Sequence, residues 1–220
     1  MLLRNPADYK GGFWVSCRID GEVHVTTSTE PEAFAVAKKE NLSGLLKLSL
    51  DRSEPDLTEP YLRFDIDLWS YNKPTLLIRH KTTNVGDLVV EDLKVYHMMD
   101  FDIGGPMSYK DDVGLFDVET GLMRVFDTSS IGVALSSRPA PQGWEIAPPT
   151  QLRIDPDCRD LRNNREFGPM DIATALQWNL GDLKPDEAKT VDLAIVATAS
   201  LDELDTLMKE AWKLFKRKVR

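Results

Sequence analysis

Hydrophobic and polar residues alternate with a period of two along much of this chain. The clearest run is 61–69, where Leu62, Phe64, Ile66 and Leu68 fall on one side and Tyr61, Arg63, Asp65, Asp67 and Trp69 on the other. Successive strand side chains point to opposite faces, so this spacing predicts a strand with one face in a core and one toward water. The same reading predicts strands over 13–19, 22–27, 45–50, 75–83, 88–99, 113–118, 122–126, 131–136, 151–154, 172–180 and 189–198. Turn residues separate them. Asp20-Gly21 marks a tight hairpin, because a type I′ turn needs positive φ at both central positions. Pro31 to Glu40 reads as a short helix or an irregular excursion, and Pro139 to Pro149 as a proline-rich loop around Trp144.

Many short strands without regular strand–helix alternation predict a mostly β, antiparallel sandwich rather than a doubly wound sheet. One segment breaks the period. Ser200-Leu201-Asp202-Glu203 has the form of a capping box. Leu204, Leu207, Met208, Ala211, Trp212, Phe215 and Val219 then follow at helical spacing, with basic residues toward the end. This predicts an amphipathic C-terminal helix over about 200–218, docked on the sandwich. The expectation is a single domain over residues 1–220, since a chain of this length buries a core without a disulfide or metal.

Composition narrows the classes of function. A charged share of 29% and a hydrophobic share of 42% argue for a folded chain rather than a disordered one. The net charge of -9 and pI near 4.9 repel phosphate backbones, so nucleic acid is not the expected partner. No run approaches the ~18 apolar residues of a spanning helix, and no N-terminal secretory pattern is present, so the expected setting is the cytoplasm without membrane contact. Cys17 and Cys158 are far apart, and no histidines stand at ligand spacing near them. Neither zinc nor redox chemistry is indicated, and Cys17 reads as a small core residue.

Two stretches resemble a known family. One is Asn84-Val85-Gly86 through Val95-Tyr96-His97-Met98-Met99-Asp100-Phe101-Asp102-Ile103-Gly104-Gly105. The other is Leu180-Gly181-Asp182-Leu183-Lys184-Pro185-Asp186-Glu187, followed by Thr190 to Ile195. Over about residues 74–200 the chain resembles the galactose-mutarotase-like β-supersandwiches, in particular the domain preceding the catalytic barrel of glucoamylase-type and glucodextranase-type glycoside hydrolases. The resemblance implies a β-supersandwich fold and a carbohydrate partner. It leaves no room for the barrel that carries the hydrolase carboxylates. The mutarotase branch uses a histidine acid and a glutamate base; His97 is the candidate histidine, and no glutamate maps to it.

The residues themselves leave several readings open. Asp100, Asp102, Asp111 and Asp112 form an acidic loop with Gly104 at the sixth position from Asp100. These aspartates either make turns and cap amides, or converge as oxygen ligands for calcium; the strand-like flanks exclude an EF-hand. A catalytic carboxylate pair is the third reading. His97 shares a strand face with Val95 and Met99, which suits a core histidine. Trp69, Tyr71 and Trp144 are candidate sugar-stacking rings, with Asp65 and Asp67 beside them as hydroxyl partners; core packing is the competing reading. The reading favoured here is a carbohydrate-binding or accessory-type supersandwich without its own catalytic machinery. Its alternatives are an epimerase- or lyase-class enzyme using His97 and the acidic loop, and an interaction module. Long antiparallel edges make a homodimer a further expectation.

Overall fold

The computed structural model describes residues 12–26, 34–53, 59–70, 73–104 and 109–218. The first seven strands are β1 (Gly12–Ile19), β2 (Glu22–Thr26), β3 (Phe34–Leu42), β4 (Leu45–Arg52), β5 (Leu62–Ser70), β6 (Thr75–Asn84) and β7 (Val90–Asp100). The rest are β8 (Val113–Asp117), β9 (Leu122–Phe126), β10 (Gly132–Arg138), β11 (Gly143–Ala147), β12 (Glu166–Phe167), β13 (Ala173–Leu183) and β14 (Ala188–Thr198). They form two sheets, of order β11-β13-β7-β1-β2 and β12-β8-β9-β10-β14-β6-β5-β4-β3, in which every paired neighbour is antiparallel. The β1–β2 hairpin turns at Asp20 and Gly21, both with positive φ, as the Asp-Gly pair predicts.

The core between the sheets is built by the period-two pattern. Leu62, Phe64 and Ile66 of β5, Val95 and Met99 of β7 and Val191, Leu193 and Ile195 of β14 all point into it. Cys17 is buried there too. The outer face of the nine-stranded sheet carries a second cluster, in which Leu77, Ala134, Ala194 and Val196 meet α1 (Leu204–Lys218) through Leu204, Met208, Ala211, Trp212 and Phe215. Burial of each large side chain is worth about 1.5–3 kcal/mol, enough to hold the helix down. Across the molecule, the outer face of the five-stranded sheet buries Trp14, Tyr96 and Met98 against Leu152 and Leu161 of the segment joining β11 to β12.

Four local expectations change. Residues 34–40 lie in β3 rather than in a helix, paired along β4 with a bulge between Val36 and Lys38; residues 31–33 lie outside the described residues. Residues 143–147 are strand β11, paired with β13, rather than loop. Residues 151–154 are not a strand. The capping box does not close: Ser200 makes no side-chain cap bond, α1 is led in by a short 3-10 turn over Leu201–Glu203, and Glu203 instead accepts from the Thr198 hydroxyl at 3.0 Å.

Candidate functional site

β6 and β7 run in opposite directions along the sandwich, so Asn84 and Val90 lie at one end, and Thr75 and Asp100 at the other. At ~3.3 Å per residue, the eleven residues of β7 separate these ends by roughly 33 Å. Each end holds a cluster of chemistry, and the middle holds a third.

The Asn84 end is an open groove of about 550 Å³, whose lining includes Pro60, Tyr61, Arg63, Val85, Asp87 and Leu88. Asn84 is fully buried and organises it. Its Nδ2 donates to the carbonyls of Leu88 and Leu183, both at 2.8 Å, and its Oδ1 accepts the Gly86 amide at 3.0 Å. Gly86 is required by crowding, because a Cβ there would stand 3.2 Å from the Tyr61 Cα. Tyr61 forms the buried floor, its hydroxyl accepting from Arg52 Nε at 2.6 Å. Arg63 is oriented by a bidentate pair with Asp51, Nε and Nη2 donating at 2.7 and 2.9 Å, which raises its already high pKa. The pair leaves Nη1 turned to neither carboxylate oxygen. Leu88 is exposed. The groove therefore sets apolar surface beside a held guanidinium and the Asp87 carboxylate.

The Asp100 end is acidic. Asp100 closes β7, Asp102 follows it, and Asp171 precedes β13, the strand paired to β7 through Ala173 and Asp100. One carboxylate oxygen from each lies within 4.8 Å of the others. Asp112 is buried behind them, its Oδ2 accepting the Ile103 amide at 3.2 Å. Burial pushes its pKa up to about 7, with repulsion from Asp111, Asp127 and Asp102 adding to the rise. Asp111 accepts from the Thr128 hydroxyl instead of joining the trio. Of the four predicted cation ligands, then, the structure brings Asp100 and Asp102 together, sets Asp112 next to them and turns Asp111 aside. Asp171 was invisible in sequence, being far along the chain with no motif around it.

The middle contains the histidines. His80 and His97 line an interior cavity of about 10 Å³ between the sheets, with Phe13, Ile78, Val95, Trp178, Val191 and Leu193 around them. Neither ring nitrogen of His80, nor Nδ1 of His97, has a hydrogen-bond partner. Burial pushes the His97 imidazole down to about 4 and the His80 imidazole to about 3, the latter also repelled by a charged His97. A cavity of this size holds at most one water. The β7 alternation turns His97 inward, on the face that it shares with the core residues Val95 and Met99, where the space beside it is too small for a sugar ring.

The proposed stacking rings are not brought together. Trp69 is buried beneath α1, edge-on to Phe215 at 5.6 Å, because the helix covers this end of the β5 polar face; its expected exposure is corrected. Trp144 stacks on Phe116 at 4.2 Å and 21°, joining the edge strand β11 of one sheet to β8 of the other, and packs against the inter-sheet core. Tyr71 lies outside the described residues. Asp65 accepts from Ser49 at 2.6 Å and Asp67 faces Lys47 at 3.6 Å, next to the Arg79–Asp192 bidentate pair. These residues form a cross-strand charge lattice on the outer face of the nine-stranded sheet. The groove end escaped sequence reasoning because Tyr61, Arg63, Asp87 and Leu88 meet only when β5 pairs with β6; the Asn-x-Gly turn was the one visible signal.

The sequence matches no family model and no curated protein. Solved structures do resemble the fold. A GalM/aldose epimerase homologue from C. elegans superposes with a TM-score of 0.53 at 11% identity, over 84% of this chain and 78% of that one. A polysaccharide lyase gives 0.56 at 12% identity over 93% of this chain, and a protein assigned as a kojibiose phosphorylase from the human microbiome gives 0.51 at 13% over 90%. The chain spans about a quarter of each of the latter two, 28% and 25% of their lengths. This chain has the galactose-mutarotase-like β-supersandwich fold.

Proposed function

We propose that this chain recognises carbohydrate through the groove at Tyr61, as a binding or accessory-type supersandwich without catalytic machinery of its own. The groove carries the reading. Its volume of about 550 Å³ falls in the range of small-molecule sites. A sugar ring offers an apolar C–H face and a rim of hydroxyls, and the groove offers Leu88, Val85 and Pro60 beside Arg63 and Asp87. Arg63 is held by Asp51 before any ligand arrives, so little side-chain entropy is lost on binding. The names of the similar structures, an aldose epimerase homologue and a polysaccharide lyase, agree with a saccharide partner. A binding role is preferred to an epimerase or lyase role because His97, the histidine that would act as acid, faces a cavity holding no more than one water.

A glycan array followed by calorimetry on the full chain tests this. Arg63→Ala and Asp87→Ala should each weaken a bound saccharide at least about tenfold, about 1.4 kcal/mol. Failure of every glycan to bind, or binding that both variants leave intact, overturns the reading.

A further inference from the structure

We propose that Asp100, Asp102 and Asp171 bind a calcium ion that fastens the connection after β7 to the start of β13. The donors are all carboxylate oxygens, the ligand chemistry of a hard divalent cation. Calcium takes oxygens at about 2.3–2.6 Å, so two ligands of one ion stand at most about 5.2 Å apart, whereas magnesium at about 2.0–2.1 Å allows only about 4.2 Å. Oxygens that all lie within 4.8 Å of one another fall inside the span that calcium allows. The three residues also come from two chain segments 69 positions apart (Asp102 to Asp171), already brought together by the pairing of Ala173 with Asp100. A cation here would tie together the ends of β7 and β13, neighbours inside the five-stranded sheet.

Asp112 supplies the independent observation. It is 1% exposed, and its Oδ1 is buried without a hydrogen-bond partner. Its other oxygen holds the amide of Ile103, the residue after Asp102, so the carboxylate stands against the same loop as the trio. Buried carboxylate oxygens are almost always satisfied, and an orphan calls for an unseen partner. A water carried by a cation at the trio would be a donor of the kind that this oxygen lacks.

The proposal is independent of the groove and is tested without sugar. The full chain, stripped with chelator, is titrated calorimetrically with calcium chloride and with magnesium chloride, and its thermal unfolding is followed in both. One calcium site is expected, with magnesium at least tenfold weaker. Unfolding should rise by about 5 °C or more when calcium stands about 100-fold above its Kd. Asp102→Asn and Asp171→Asn should each weaken calcium at least tenfold, while Asp111→Asn, outside the trio, leaves affinity within about threefold; far-ultraviolet dichroism confirms that each variant is folded. Should one trio variant fail to fold, the other carries the test. No binding at millimolar calcium, or an equal loss in Asp111→Asn, overturns the proposal.

Discussion

The two ends of the sandwich are made from opposite ends of the same strands, yet they handle charge in opposite ways. At the Asn84 end each element of the groove is tied down by a partner: Asn84 by three hydrogen bonds, Arg63 by Asp51, Tyr61 by Arg52. At the Asp100 end carboxylates of one sign crowd together, three of them within 4.8 Å, around a loop that β7 hands to β8. The first end is preorganised by contacts within the chain and left open to a ligand. The second concentrates charge that a cation would relieve. A strand thus delivers different chemistry to its two ends because side-chain alternation governs only its length, while its termini take whatever the loops bring.

The largest effect should come from the middle, which both ends share, and it sets the baseline for comparing them. His80 and His97 are held well below the ordinary imidazole value, so the unfolded chain binds protons that the folded chain refuses. The contribution of each ring should be level above about pH 6.5 and be lost as pH drops toward 4, by roughly 3 kcal/mol per ring. Asp112, whose carboxyl is pushed up to about 7, should offset part of that loss by gaining a proton in the folded chain over the same range. Urea unfolding from pH 7.5 to 4.5 should show this fall, and His97→Phe should flatten its share of the slope. An unchanged slope in that variant would mean that the acid loss arises from carboxylates instead.

Asn84→Ala should cost about 3 kcal/mol, because it strips the Leu88 and Leu183 carbonyls of their donor and frees the Gly86 amide. Groove binding should fall with it while calcium affinity stays the same. Loss at both ends would show that they are coupled through β6 and β7. Gly86→Ala should cost about 1–2 kcal/mol, since its Cβ meets the Tyr61 backbone, which cannot swing aside as a side-chain tip would. Its signature is a lower urea midpoint with altered groove affinity.

At the acidic end, Asp102→Asn in chelator should raise stability by about 1 kcal/mol at low salt, with the gain fading as salt is added. A loss of stability instead would mean that Asp102 serves chiefly as a hydrogen-bond acceptor. The smallest effect is expected from the charge lattice between the ends. Lys47→Ala should change stability by no more than about 0.5 kcal/mol, because its partner Asp67 lies 3.6 Å away on an open face.

Period-two alternation over 62–67, the Asp-Gly hairpin and the helical stripe from Leu204 to Phe215 were legible because each is a local regularity imposed by backbone geometry. A strand must alternate, a tight turn must accept positive φ, and a docked helix must keep one apolar face. The sequence alone thus determined the mostly β class, the terminal helix and most strand bounds. It also placed Asp100 and Asp102 side by side, since their separation of two residues was enough, although Asp100 proves to be the last residue of β7 and only Asp102 lies in the loop.

Tertiary structure decided what those residues face. Trp69 obeys the alternation of β5 and still ends buried, because α1 arrives from more than 130 positions later to cover that face. His97 obeys it too and ends against His80, a partner on another strand. Asp171 joins Asp100 through pairing of β13 with β7, and Arg63 meets Asp87 through pairing of β5 with β6. Period and propensity act over a few residues, whereas both candidate sites are assembled by sheet pairing across long stretches of chain, where no local rule carries the information.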